Sequence, residues 1–380
     1  MPSSPDSMRF GAPPLRTVAI LAAGLVVLMA GIILAWRLLP TTSREGERPD
    51  RLVEAVDPTP PSILPAATPG LLHVGDARRG EAGWWVLDRR ARRVHLLDGE
   101  MQTVLSFGGR GGAPGEFEAP AALGFRGDSL LVLDAAGSPV IHVFAPTGDF
   151  LRRDHVRVEG CDAFAASGLA EAMEGTVLLL GTCLRHLPVP SSGPVVARLD
   201  PDGTGHRVQG ELRPLRPGSL IPETAVGAPG PGGFWAGRSS RPCLTRLEAV
   251  PATGEPPVLC LPEWVGVRFS LEELVGRMNR PPAPERVAQV LDAMEWLPVM
   301  DRVFSHPEGI VFRRLSGMTS RELVLLRSDG SMVTLWTGLP ESSWVEGDEL
   351  LVAWDGAEGV HLERRTLAPA RAPLPLPESG

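Results

Sequence analysis

The stretch FGGRGGAPGEFEAP, residues Phe107 to Pro120, holds five glycines and is rich in acids towards its end. Such a stretch either cradles a phosphate or forms a tight turn. A P-loop needs Gly-Lys-Ser/Thr beside its last glycine, whereas Pro114, Glu116 and Phe117 stand here. A dinucleotide-binding loop would open a helix, yet this stretch leads into another β unit. We therefore predict a tight crossing between two β units.

Each residue type in this crossing has a predicted role. The glycines supply positive φ, Phe117 wedges between the two β units, and Pro120 directs the next strand. The predicted turn residues are Gly108, Gly109, Gly111, Gly112, Gly115, Phe117 and Pro120.

The β units on either side of the crossing are repeats of each other. Gly83 to Gly109 aligns with Asp128 to Arg153, because a V-L-D triplet recurs in both, ending at Asp88 and Asp134. The offset of about 46 residues matches a four-stranded propeller blade. Short apolar runs between Gly, Pro and Asp turns are typical of strands and hairpins.

Weaker copies extend this pattern along the chain to six units, which predicts an all-β, six-bladed β-propeller. The last unit accounts for only three strands, so we expect a segment between about Leu52 and Ala66 to supply the fourth and close the ring. The weaker copies are Gly175 to Val208, Gly232 to Leu261, Glu308 to Trp336 and Ser342 to Leu367.

The glycine-rich crossing followed by LLVLD and VIHVFAPTGDFLRR resembles the repeat of NHL-type six-bladed β-propellers, whose blades are linked by G-x-G-x-G-P-G-x-F-x-x-P. The resemblance is specific across Gly83 to Arg153 and loose from Cys161 onward. It also implies that Leu297 to Arg314 forms the blade after a helical insertion. A propeller of this type implies a fold more than an activity, because the fold hosts lyases, esterases, oxidoreductases and binding proteins.

Composition narrows the classes of function. The 380 residues carry a formal net charge of −8, so we predict no nucleic-acid partner. The chain has 43 glycines and 39 prolines, yet 43% of its residues are hydrophobic, which favours a folded, turn-rich protein. Tyrosine and lysine are absent, which removes a tyrosine acid and a Schiff-base lysine from the possible chemistry.

Residues Thr17 to Trp36 contain no charge and are long enough to span a bilayer as a helix. The alternative is a cleaved signal peptide, but no convincing A-x-A site follows the apolar segment. We predict an N-terminal tail at 1–16, an uncleaved transmembrane anchor at 17–37 and a Pro-rich linker with the ring-closing strand at 38–70. The propeller follows at 71–367, and a disordered tail at 368–380.

Two features give opposite orientations for this anchor. Arginines are more numerous after the span than before it, which places the propeller in the cytoplasm by the positive-inside rule. The cysteines favour an oxidising compartment, because Cys161 with Cys183, and Cys243 with Cys260, flank predicted hairpins. Four unrelated buried thiols are the alternative. We favour two disulfides and an extracytoplasmic propeller.

One segment interrupts the β pattern. Ser270 to Pro298 opens with capping-box spacing at Ser270 and Glu273 and continues with helical spacing from Val287 to Met294. We expect a helical insertion at 270–298 that acts as a lid or partner surface, or that only covers a gap in packing.

Other candidate site residues have structural interpretations. His95, His142 and His361 recur in similar contexts, but third strands of different blades lie too far apart to share a metal ion. Asp88 and Asp134 could be an acid and base, yet an aspartate after a strand more often accepts backbone N–H groups. A basic run has two interpretations: it binds an acidic partner or lipid headgroups, or it is a solvated loop. Its members are Arg89, Arg90, Arg92 and Arg93.

The calcium site of gluconolactonase-like and paraoxonase-like propellers needs an asparagine near the axis. The only asparagine of this chain is Asn279, which lies in the predicted helical insertion, so the sequence does not favour this site. The zinc site of amidating-lyase propellers needs a tyrosine, and this chain has none. The G-x-S-x-G motif that carries a serine nucleophile is also absent. We therefore predict no catalytic, cofactor or metal residues and no cofactor. The expected function is a membrane-tethered binding or scaffolding module for a protein or small-molecule ligand. The alternative is a hydrolase or lyase with its site at the mouth of the central channel.

Overall fold

A computed structural model describes residues 51–54, 60, 65–171, 176–185, 191–201, 204–207, 225–239, 243–247, 257–261, 265–268, 300–317 and 320–367. The predicted transmembrane anchor, helical insertion and C-terminal tail, and most of the linker, lie outside these residues. Within the described ranges, no helix has the length and apolar character to cross a membrane.

The described residues form six radial sheets and a separate pair of strands. The pair joins β1 (Arg51–Glu54) to β19 (Val265–Arg268) in parallel. Blade 1 contains β2 (Val74–Gly80), β3 (Gly83–Asp88), β4 (Arg93–Leu97) and β5 (Thr103–Gly108); blade 2 contains β6 (Pro120–Arg126), β7 (Ser129–Asp134), β8 (Val140–Phe144) and β9 (Phe150–His155); blade 3 contains β10 (Arg157–Val158), β11 (Ala163–Glu171), β12 (Val177–Arg185), β13 (Ser191–Leu199) and β14 (Thr204–Arg207).

The second half of the ring repeats this meander. Blade 4 contains β15 (Ala225–Gly230), β16 (Gly233–Arg238), β17 (Cys243–Leu247) and β18 (Val258–Cys260); blade 5 contains β20 (Met300–His306), β21 (Gly309–Leu315), β22 (Ser320–Arg327) and β23 (Met332–Pro340); blade 6 contains β24 (Ser343–Glu346), β25 (Glu349–Gly356) and β26 (Gly359–Thr366).

The innermost strands of the blades line the central axis. They contact one another in the cyclic order β2, β6, β11, β15, β20 and β24, and β24 contacts β2 again. This closed order makes the protein a six-bladed β-propeller, as the sequence repeats predict. The repeats recognised in sequence begin at the second strand in the first five blades, because the inner strands carry Gly, Ala, Asp and Arg instead of a regular apolar alternation.

Blade 6 has three strands, and the segment before blade 1 lies along its outer edge. Ala67 forms an antiparallel bridge with His361 of β26, and the N–H of Thr68 donates to the carbonyl of Val360 at 2.8 Å. The ring nitrogen Nδ1 of His361 lies 2.6 Å from the carbonyl oxygen of Pro65. These contacts lie at the C-terminal end of the segment that we expected to supply the fourth strand. Leu71, which follows them in the chain, packs into a core shared by blades 1, 5 and 6.

Both predicted disulfides are present. Cys161 pairs with Cys183 across the β11–β12 hairpin of blade 3. Cys243 pairs with Cys260, which faces it directly in the β17–β18 ladder with Cα atoms 4.0 Å apart. No free cysteine remains among the described residues, which include all four cysteines of the chain. Disulfides of this kind persist in oxidising compartments and favour an extracytoplasmic domain.

Candidate functional site

The glycine-rich crossing joins blade 1 to blade 2. The N–H of Phe117 donates to the carbonyl of Gly109 at 2.8 Å, and the Phe117 ring is fully buried in the core between the two blades. A Cβ at Gly108 would lie 2.4 Å from that ring, so only glycine leaves room for it. Pro120 is the first residue of β6, the inner strand of blade 2.

Positive φ occurs at some of the crossing's glycines only. Gly108, Gly109 and Gly115 have φ of 91°, 154° and 84°. Gly111 and Gly112 do not have positive φ, so the prediction was wrong for these two. At Gly111 an added Cβ would meet the carboxylate end of the Glu116 side chain, which would have to move.

The repeated aspartates at the ends of second strands are turn residues. Asp88 accepts backbone N–H groups from Leu72 at 2.6 Å and from Arg90 and Ala91 at 2.9 and 2.8 Å. Asp134 does the same with three N–H groups of its own blade, at 2.6 to 3.2 Å. Each carboxylate therefore fastens the start of a blade's inner strand to the turn after its second strand.

The recurring histidines lie on third strands, inside the blades. His142 is 1% exposed and packs against Phe117, with ring centroids 5.2 Å apart. Its Nδ1 and both ring nitrogens of His95 lack hydrogen-bond partners within the described residues. Burial, as the largest cause, lowers the pKa of both rings, although Asp88 and Asp134 act in the opposite direction. Burial also lowers the pKa of His306 in blade 5.

These histidines should make stability depend on pH. A lowered pKa in the folded state means that the unfolded chain binds protons first, so stability is complete above about pH 6.5 and falls as the pH decreases. We expect the melting temperature to drop by about 3–6 °C between pH 7.5 and pH 5. The His142→Gln variant should show a shallower drop in calorimetry, whereas His155→Gln, at an exposed position, should keep the wild-type slope. The same dependence of melting temperature on pH in the wild type, His142→Gln and His155→Gln would contradict an origin in the buried histidines.

A cavity of about 860 Å³ lies on the propeller axis, between the inner strands of the blades. Its wall combines charged and apolar side chains. The lining residues include Asp76, Arg78, Arg89, Asp301, Arg302 and Trp344, together with the apolar Leu169, Val226 and Phe304.

Asp76 on β2 is the most deeply buried charge of the cavity wall, with no exposed surface. Its Oδ1 accepts hydrogen bonds from Arg302 and from Nε1 of Trp344, the latter at 3.1 Å, and its Oδ2 accepts the N–H of Leu123 at 2.8 Å. Burial alone raises the pKa of Asp76, but the positive charges of Arg302 and Arg78 more than offset it and lower the pKa overall. The carboxylate therefore stays ionised and joins blades 1, 2, 5 and 6.

A second ion cluster lies beside it in blade 5. Asp301 accepts Nε of Arg313 at 2.7 Å and Nε of Arg321 at 2.6 Å, one on each carboxylate oxygen. Burial raises the pKa of Asp301, and the two guanidinium groups more than reverse that effect. Arg313 also donates to the carbonyls of Glu341 and Ser343 at 2.5 Å, which ties blade 5 to blade 6.

Two further arginines line the cavity and are anchored by backbone carbonyls. Arg78 donates from Nε to Leu123 at 3.3 Å and from a terminal nitrogen to Leu169 at 2.9 Å. Arg89, the first residue of the predicted basic run, donates to the carbonyl of Ala121 at 2.5 Å. Arg89 and Arg90 are both exposed to solvent, but only Arg89 of the two lines the cavity.

Two carboxyl groups at the ends of inner strands have raised pKa values, in contrast to the lowered pKa values of Asp76 and Asp301. Burial raises the pKa of Glu346, and the charges of Asp76 and Glu171 add to that effect while Arg78 opposes it. Partial removal from water also raises the pKa of Glu171. No group of three His, Cys, Asp or Glu side chains that could hold a metal ion occurs in the described part of the chain.

No protein-family model and no curated protein sequence matches the chain. Solved structures with a similar arrangement include a protein of Bacteroides fragilis NCTC 9343 assigned as exported, with 12% identity, a TM-score of 0.45 and coverage of 80% of this chain and 84% of that one. A Thermus thermophilus protein assigned as a glucose dehydrogenase-type oxidoreductase has 16% identity, a TM-score of 0.33 and coverage of 65% and 96%. The computationally designed protein Ika8 has 12% identity, a TM-score of 0.34 and coverage of 76% and 82%. With scores this low, the similarities carry no argument about function.

Proposed function

We propose that this chain is a membrane-tethered, extracytoplasmic β-propeller of the NHL type that binds a protein or small-molecule ligand at its axial cavity without transforming it. The observation that carries the proposal is the cavity itself. Its volume of about 860 Å³ lies in the range of ligand pockets, and it combines apolar walls with a few fixed charges.

The state of the two buried carboxylates supports binding over catalysis. Asp76 and Asp301 are held ionised by arginines, and their oxygens already accept hydrogen bonds from fixed donors. A general acid or base needs a pKa near the working pH and a free position for the proton that it transfers. Asp76 and Asp301 therefore serve as rigid supports that hold the cavity wall in place.

The compartment and the tether rest on separate features. The disulfides Cys161–Cys183 and Cys243–Cys260 support an oxidising compartment. The charge-free segment Thr17 to Trp36 supports a single-pass anchor. The predicted helical insertion at 270–298 is the surface that we propose for partner recognition.

The test uses the full-length chain in isolated membranes. We expect it to resist carbonate extraction, to present its propeller to protease added from the extracytoplasmic side, and to migrate faster on gels without reductant. A variant that lacks residues 17–37 should be released by carbonate. Four reduced cysteines, or a propeller that protease reaches only from the cytoplasmic side, would contradict the proposed location.

Crosslinking the anchored protein in the same membranes tests the binding function. Mass spectrometry of the captured material should identify a ligand whose mass is the same after long incubation with the purified propeller. Conversion of that ligand would instead favour a hydrolase or lyase at the channel mouth. Glu346 is the acid to test in that case, because its raised pKa suits a proton donor, and Glu346→Gln should then abolish the conversion.

A further inference from the structure

The cavity contains positive charge that no described acid neutralises directly. Within the described residues, neither Arg78 nor Arg89 forms an ion pair with a carboxylate, and both guanidinium groups are fixed by backbone carbonyls instead. A carbonyl oxygen orients a guanidinium group by accepting its hydrogen bond, but its partial negative charge does not neutralise the full positive charge of that group. Both side chains line the cavity, so an oxyanion that enters it meets preoriented donors.

The two arginines lie next to each other along β6. They donate to the carbonyls of Leu123 and Ala121, which are two residues apart and therefore roughly 7 Å apart along the strand. Arg302 extends the group, since it donates to the carbonyl of Gly75, and the stem of Arg89 passes over that same glycine. An added Cβ at Gly75 would lie 2.3 Å from Cγ and Cδ of Arg89.

The ion pairs of the cavity leave Arg78 and Arg89 without a carboxylate partner. Asp76 pairs with Arg302, and Asp301 pairs with Arg313 and Arg321. The remaining two acids of the described wall, Glu341 and Asp355, have side chains 67% and 71% exposed, and neither forms an ion pair with Arg78 or Arg89. Arg78 and Arg89 are therefore the two arginines of the described wall without a carboxylate partner, and they favour a ligand with negative charge.

We propose that Arg78, Arg89 and Arg302 form the binding site for an oxyanion, a carboxylate or phosphate group carried by a small organic ligand. The planar guanidinium fork matches both groups. This inference rests on the proposed binding function and assigns the chemical class of its ligand.

Isothermal titration calorimetry of the full-length protein in detergent, at low salt, tests the site. The probes are succinate, glycerol phosphate and the neutral diamide succinamide. We expect at least one of the two anions to bind and succinamide not to bind. The Arg89→Gln variant should weaken anion binding at least about tenfold, because it removes charged hydrogen bonds, and Arg89→Lys should restore part of the loss.

Two further variants separate the site from general effects of charge or stability. Arg90→Gln removes an equal charge from the exposed neighbouring position and should leave the affinity unchanged. Gly75→Ala keeps every charge but displaces the Arg89 stem, so it should weaken binding as well. Tighter binding of succinate than of glycerol phosphate identifies a carboxylate ligand, and the reverse order identifies a phosphate ligand.

Failure of both anions to bind the wild-type protein at about 10 mM, or equal losses in Arg89→Gln and Arg90→Gln, would overturn the inference. Capture of a partner in the membrane experiment without any anion binding overturns this inference alone. Anion binding by a chain that membranes do not retain overturns the proposed tether and leaves the site in place.

Discussion

Replacement of Asp76 by alanine should lower the free energy of unfolding by about 3–5 kcal/mol, because it leaves Arg302 as a charge without its partner in a largely buried position. The N–H groups of Leu123 and Trp344 lose their acceptor at the same time. The melting temperature should fall by roughly 10 °C. Chemical denaturation followed by tryptophan fluorescence measures the loss.

The double variant Asp76→Ala/Arg302→Met separates the ion pair from the packing around it. It should be more stable than Asp76→Ala alone, because the Arg302 charge is removed together with its partner. Asp128→Ala, at an exposed hairpin turn, is the matched control and should change stability by less than about 0.5 kcal/mol. A loss in Asp76→Ala no larger than that control would show that the axial ion pair does not hold the blades together.

Deletion of residues 1–71 should destabilise the propeller by about 4–6 kcal/mol, because it removes the segment along the outer edge of blade 6. The lost contacts are the hydrogen bond from Thr68 to Val360, the contact between Pro65 and His361, and the burial of Leu71, which is 2% exposed. A drop of roughly 10 °C in melting temperature is expected by differential scanning calorimetry.

Deletion of residues 1–64 is the control, since it also removes the β1–β19 pair but keeps the edge segment, and it should melt at a clearly higher temperature than the 1–71 deletion. Thr68→Pro provides a second comparison, because it removes only the N–H that donates to Val360, while Thr68→Ala retains it. Equal melting temperatures for the two deletions would mean that the ring closes without this segment.

Much of the fold could be predicted from local spacing. The repeated V-L-D triplet predicts the strand-and-turn unit because the aspartate at its end binds backbone N–H groups within its own blade. The cysteine pairs could be predicted because each flanks one hairpin, and partners in a hairpin are close in sequence. At the crossing, Gly108, Gly109 and Gly115 have positive φ as the composition predicts, whereas Gly111 and Gly112 do not.

The candidate site could not be predicted in this way. Asp76 contacts Arg302 across 226 residues and Trp344 across 268 residues. Arg89 belonged to a basic run that had the pattern of a solvated loop, and its contact with Ala121 depends on how blade 2 packs against blade 1. The small Gly75 beside Asp76 is a signal in hindsight, since it leaves room for an arginine stem.

The sequence by itself determined the propeller, its blade count and its cysteine pairing, because each follows from interactions within one blade or between adjacent blades. Only the tertiary structure decided which charges meet at the axis. The inner strands come from all parts of the chain and converge at the axis when the ring closes. Which of their charged side chains pair depends on the positions of the blades around that axis, and local spacing in the sequence does not encode those positions. The glycine-rich crossing therefore predicts the fold, whereas the proposed site depends on arginines that meet only when the ring closes.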